Sequence, residues 1–98
     1  MITKYYHATD YNNVGSILLE GIKTSWDGVI YLCTSASDAA KFCAIHGIKH
    51  ILVVEVELDD SEVKESFDHS EEFFKCKAYT CARMIDPEEF RTFIEYKL

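Results

Sequence analysis

The chain is 98 residues long, 48% hydrophobic and 28% charged, with a formal net charge of -7. That is one domain, residues 1–98, with enough apolar content for a core, which excludes a disordered chain. Only two arginines are present, Arg83 and Arg91. Phosphate backbones and anionic membranes need clustered Lys and Arg, so nucleic acid and membrane surfaces are disfavoured as partners.

The charge is uneven. Residues 1–49 hold four acids and four bases, whereas Glu55 to Glu72 holds nine acids against the single base Lys64. No apolar run approaches the roughly 20 residues of a membrane span. Met1-Ile2-Thr3-Lys4-Tyr5 lacks a signal-peptide h-region, so a cytoplasmic location is expected. Cys33, Cys43, Cys76 and Cys81 are then expected as thiols.

Thr3–Ala8, with two tyrosines, predicts a first strand. Thr9 or Asp10 can cap a helix whose inner face carries Val14, Ile17 and Leu18, with Gly21 as its C-cap. Ile22–Asp27 is a loop holding the only tryptophan, Trp26, and Val29–Cys33 a short second strand. Ser35 or Ser37 opens a second helix with the small inner face Ala40, Cys43 and Ala44, ended by Gly47. His50–Leu58 is the clearest strand, apolar on both sides at its start and so expected inside a sheet.

Asp59–Ser70 is expected as an acidic loop or short helix, and Phe73–Met84 as one or two further strands. Pro87 suits the first turn of a short helical connection. Phe90–Leu98 alternates, with Phe90, Thr92, Ile94, Tyr96 and Leu98 on one side, and predicts a last strand. The whole predicts an α+β domain, two early helices packed on a mostly antiparallel sheet.

Two segments carry chemistry: Tyr6-His7-Ala8-Thr9 and Gly28-Val29-Ile30-Tyr31-Leu32-Cys33-Thr34-Ser35. A histidine at the end of a strand, followed by a small residue, lets backbone and imidazole approach a flat ligand together. A strand tyrosine can stack on an aromatic ring. Cys43, His46 and His50 form C-x2-H-x3-H, but Gly47 should end the helix before His50. Tetrahedral convergence then fails and no metal is expected. Cys76 and Cys81 lie five apart across strand-like sequence and would not point together.

The order Tyr6-His7-Ala8-Thr9, then Val14-Gly15-Ser16-Ile17-Leu18-Leu19-Glu20-Gly21-Ile22, then Gly28-Val29-Ile30-Tyr31-Leu32, then Ser37-Asp38-Ala39-Ala40 resembles the ADP-ribosyltransferase superfamily. The likeness is to its H-Y-E branch of diphtheria-toxin-like enzymes and poly(ADP-ribose) polymerases. It extends to the catalytic lobe of RNA 2′-phosphotransferases, and Gly47–Leu58 and Met84-Ile85-Asp86-Pro87-Glu88-Glu89-Phe90 are similar to later elements of that lobe.

The resemblance implies a small split antiparallel sheet with two N-terminal helices and NAD+ bound, as substrate, in its cleft. By position His7 would bond a ribose hydroxyl, the Ala8 backbone would meet the nicotinamide amide, and Thr9 would support the adenosine. Tyr31 would stack on the nicotinamide, with Thr34 or Ser35 lining the floor. The implied activity is that of a glycosyltransferase moving ADP-ribose to a protein, small-molecule or nucleic-acid acceptor, or to water. The family's third element, a glutamate, falls here on Ala78, so Glu72 or Glu71 (or Asp68) would have to supply the carboxylate. The alternatives are a nucleotide-binding module that captures NAD+ or an ADP-ribose-like ligand without turnover, and an acidic domain that docks a basic partner.

Overall fold

The computed structural model describes residues 1–66 and 78–98. Among these residues six antiparallel strands form one sheet: β1 (Ile2–Asp10), β2 (Ile30–Cys33), β3 (His50–Asp59), β4 (Val63–Ser66), β5 (Ala78–Cys81) and β6 (Phe90–Lys97). Their order across the sheet is β4-β5-β2-β1-β3-β6. Among the described residues two helices accompany them, α1 (Val14–Glu20) and α2 (Ala36–Ile45). The domain is therefore α+β, with both helices early in the chain.

Alternation along β3 divides the core. Leu52, Val54, Val56 and Leu58 face one side, where Tyr5, Ile17 of α1, Ile30 and Leu32 join them. Ile51 and Val53 face the other, against Ala39, Ala40 and Cys43 of α2. β3 is apolar on both faces because each is covered by a different layer, and its two neighbours β1 and β6 make it an interior strand. The small face of α2 lets its axis approach the sheet closely.

Local chemistry moves several boundaries. β1 runs to Asp10, because its pairing with β3 extends over nine positions, from Ile2↔Asp59 to Asp10↔Ile51. Asp10 caps a 3-10 turn, Tyr11–Asn13, by accepting from the Asn12 amide. The helix α1 is thereby shortened to seven residues and buries only Ile17; Leu18, expected on the inner face, is 52% exposed. At the helix end, Gly21 has φ +86, and an added Cβ would meet the Ile85 carbonyl oxygen at 2.3 Å. That closeness allows Ile22 to pair with Ile85 as an isolated antiparallel bridge. Ile22 is buried, although the sequence places it in a loop.

The acidic stretch after β3 is a 3-10 turn, Asp60–Glu62, followed by the edge strand β4. Of the region expected to give one or two strands, Ala78–Cys81 forms β5, and residues 73–77 lie outside the described residues. Pro87 opens a 3-10 turn, Pro87–Glu89. The simple alternation expected for the last strand does not hold. Phe90 packs with the α1 side, whereas Ile94 and Tyr96 pack with the α2 side. The reason is a bulge, where the register shifts between Glu55 and Val56 and leaves Arg91 without a partner position.

One junction in the sheet is thin. β1 and β2 share a single register pair, Tyr6↔Cys33. β2 and β5 share four, and β1 and β3 nine. The sheet is continuous, yet its two halves are joined across a seam between β1 and β2.

A cavity in the seam between β1 and β2

A side chain supplies what the backbone ladder omits at this seam. His7 Nδ1 lies 2.9 Å from the Tyr31 carbonyl oxygen. A carbonyl can only accept, so Nδ1 carries the proton, and the neutral ring keeps Nε2 as an acceptor. The half-buried ring is harder to charge: burial pulls its pKa below the ordinary 6.5, partly offset by the bond to Tyr31. His7 is therefore a neutral, oriented imidazole near pH 7.

The seam opens into a cavity of about 180 Å³. Its lining draws on both faces of the sheet, as a gap between strands requires: Tyr6, Ala8 and Cys33 from one side, Ile30 and Leu32 from the other. His7, Tyr31 and Ala78 all line it, although they are far apart in sequence. Ala78 reaches it because β5 pairs with β2 in the register Cys33↔Ala78. The wall is mainly apolar, which suits a flat ring.

A second cavity, of about 200 Å³, adjoins it and is more polar. Thr9, Asn13, Ser16 and Gly21 line it, and His7 and Lys23 line both. Asn13 Nδ2 donates to Thr9 Oγ1 at 2.8 Å, and Lys23 Nζ pairs with Glu20 at 3.1 Å.

The structure thus brings His7, Ala8 and Tyr31 to one cavity and Thr9 to the next. Thr34 and Ser35 line neither. β2 ends at Cys33, and Ser35 already stands at the N-cap of α2, its Oγ 3.0 Å from Ser37 Oγ. Glu71, Glu72 and Asp68 lie outside the described residues. Lys23 lines both cavities although no motif in the sequence marks it; its place two residues after Gly21 is the one local signal. Tyr6, whose hydroxyl donates to Glu55 at 2.9 Å, is a second wall residue that strand alternation alone would turn away.

The cysteine–histidine spacing resolves into separate environments. Cys43 is buried under α2, and burial, with Asp10 nearby, pushes its thiol up to about 11. His46 bonds the Phe42 carbonyl at 2.8 Å, and His50 bonds Glu95 at 2.5 Å while stacking on Tyr11. Among the described residues no three His, Cys, Asp or Glu side chains converge. Cys81 is buried in the α1-side core, and Cys76 lies outside the described residues.

Much of the acidic stretch is engaged within the chain. Glu57 binds Arg91 at 2.6 Å, Asp59 the terminal amine at 3.5 Å, and Glu62 binds Arg83. Asp60 accepts from Thr3 at 2.6 Å and from Tyr5 at 3.2 Å. No described helix is long and apolar enough to cross a membrane.

Fold and cavities define a small α+β domain with an apolar cavity at a sheet seam and a more polar one that shares His7 and Lys23 with it. No family model and no curated protein matches the chain.

Proposed function

We propose that this chain is a minimal ADP-ribosyltransferase-like domain that binds NAD+ in the seam between β1 and β2. One observation carries the reading: the residues corresponding to the histidine, tyrosine and glutamate elements of the resemblance, His7, Tyr31 and Ala78, line a single cavity. The chemistry suits that ligand. His7 presents an acceptor nitrogen to a ribose hydroxyl, with its ring held by the Tyr31 carbonyl. Tyr31 offers a face to the nicotinamide ring, Ala8 its backbone to the carboxamide, and the chamber at Thr9 room for the adenosine end.

Capture without turnover is the reading the site supports best. Breaking the bond from nicotinamide to ribose builds positive charge on the ribose, which a fixed carboxylate stabilises. Ala78 puts a methyl group where the resemblance has that carboxylate. ADP-ribose transfer is the second reading, favoured by Glu72 and Glu71, six and seven residues ahead of Ala78 in the chain. Docking of a basic partner is third, weakened by the internal pairing of Glu57, Asp59, Asp60 and Glu62.

Calorimetry with NAD+, followed by chromatography for free nicotinamide, separates these. Binding with no nicotinamide after hours supports capture. Release that Glu72→Gln or Glu71→Gln abolishes supports transfer. A wild-type protein that binds neither NAD+ nor ADP-ribose overturns both.

A further inference from the structure

The turn before β2 is built more firmly than a connecting loop needs to be. Gly28 donates its amide to the Ser25 carbonyl at 2.9 Å, and Ser25 donates to the Val29 carbonyl at 3.0 Å. Asp27 stands inside this turn. Its Oδ1 accepts from the Val29 amide at 3.4 Å, and its Oδ2 accepts from the Tyr31 hydroxyl at 2.7 Å. Ser25 of the same turn lines the apolar chamber beside Tyr31. The carboxylate thus holds the far end of a ring that forms part of the ligand wall.

Such a bond has an electronic as well as a steric effect. A phenol that donates to a carboxylate gains electron density in its ring, and an electron-rich ring attracts a cation over its face more strongly. The remaining wall is mainly apolar, from residues such as Ile30, Leu32, Phe42 and Ala78. Its cation, Lys23, is offset by Glu20.

From this geometry we infer that Asp27 is a positioning residue, which fixes the Tyr31 ring and biases the chamber toward a flat cation. The pyridinium of NAD+ is such a cation, and the dihydropyridine of NADH is its neutral counterpart. The inference rests on the reading that this cavity takes the nicotinamide end of the ligand.

The test compares NAD+ with NADH by calorimetry, and 1-methylnicotinamide (a pyridinium cation) with nicotinamide (neutral) by NMR titration. Wild type, Asp27→Ala, Asp27→Asn, Tyr31→Phe and the Asp27→Ala/Tyr31→Phe double variant are measured at high salt, where long-range attraction to an exposed carboxylate is screened. Wild type is expected to favour each cation. Asp27→Ala should weaken cation binding by about threefold more than it weakens the neutral ligands, which lose only the positioning of the ring. Asp27→Asn, which keeps an acceptor oxygen for the phenol, should recover part of the loss.

In the Tyr31→Phe background, Asp27→Ala should have little further effect, whereas a role confined to the turn would persist there. Binding with the same cation preference in Asp27→Ala, or the same loss with and without the Tyr31 hydroxyl, overturns the inference. Failure of NAD+ to bind, with an Asp27-dependent preference for 1-methylnicotinamide intact, overturns the dinucleotide reading and leaves this inference standing. Absence of both overturns the two together.

Discussion

His7 has two roles that a pair of substitutions should pull apart. Nδ1 bridges the seam to the Tyr31 carbonyl, and Nε2 remains to accept from a ligand. His7→Ala removes both. Its stability cost is one net hydrogen bond, about 1 kcal/mol, plus part of the penalty for stranding a half-buried carbonyl, for a total of about 1–2 kcal/mol. In a domain of this length that lowers Tm by roughly 5–10 °C. Asparagine places its side-chain amide where Nδ1 stood but has no counterpart to Nε2. His7→Asn should therefore melt within about 2 °C of wild type on the same scale, while losing NAD+ binding as His7→Ala does. Calorimetric melting and NAD+ titration of the three proteins give both numbers. If His7→Asn is as destabilised as His7→Ala, Nδ1 does not hold the seam. If it binds NAD+ like wild type, Nε2 is not a ligand contact.

Acid should expose the same residue. Burial holds His7 below its ordinary pKa of 6.5, so as pH falls the unfolded chain takes up the proton first. Its contribution to stability is complete above about pH 6.5 and is lost as pH falls from there toward the lower folded value. Denaturant melts between about pH 7 and 5 should show that slope in wild type and a flatter one in His7→Asn. Gly21→Ala forces a Cβ against the Ile85 oxygen at 2.3 Å and demands φ +86 of an L-residue. It should cost upwards of about 2 kcal/mol and break the Ile22–Ile85 bridge, read as a lower denaturant midpoint and faster exchange of the Ile22 and Ile85 amides. The Cys43 thiol, pushed up to about 11 and buried, should stay unmodified by iodoacetamide at pH 7 until denaturant is added. Peptide mass mapping would show label on Cys43 in the native protein if that reasoning is wrong.

The parts of the fold legible in the sequence are those governed by periodicity. β3 alternates over ten residues between two covered faces, and the Ala40–Cys43–Ala44 spacing marks the side of α2 turned toward the sheet. Effects set by distant partners were not legible. Leu18 is exposed because Asp10 ends β1 in a 3-10 turn and delays α1, a consequence of the β1–β3 register. The last strand changes faces at Arg91 because of a bulge defined jointly with β3. Ile22 is buried because Ile85, more than sixty residues later, pairs with it.

At the site, motif order pointed to His7, Ala8 and Tyr31. The single-pair seam that makes room for a cavity is a property of two strands failing to pair over their length, which neither strand's sequence displays. Lys23 joins both chambers for the same tertiary reason. Thr34 and Ser35 come from the order of the resemblance; here β2 ends at Cys33, α2 begins at Ala36, and neither residue lines the described cavities.

A crystal structure of the protein with saturating NAD+ tests the central claim most directly. The nicotinamide ring should lie face to face with Tyr31 at about 4 Å, between β1 and β2, with a ribose hydroxyl in hydrogen-bond reach of His7 Nε2. Dinucleotide bound on another surface, with the seam cavity empty at saturation, would contradict the account.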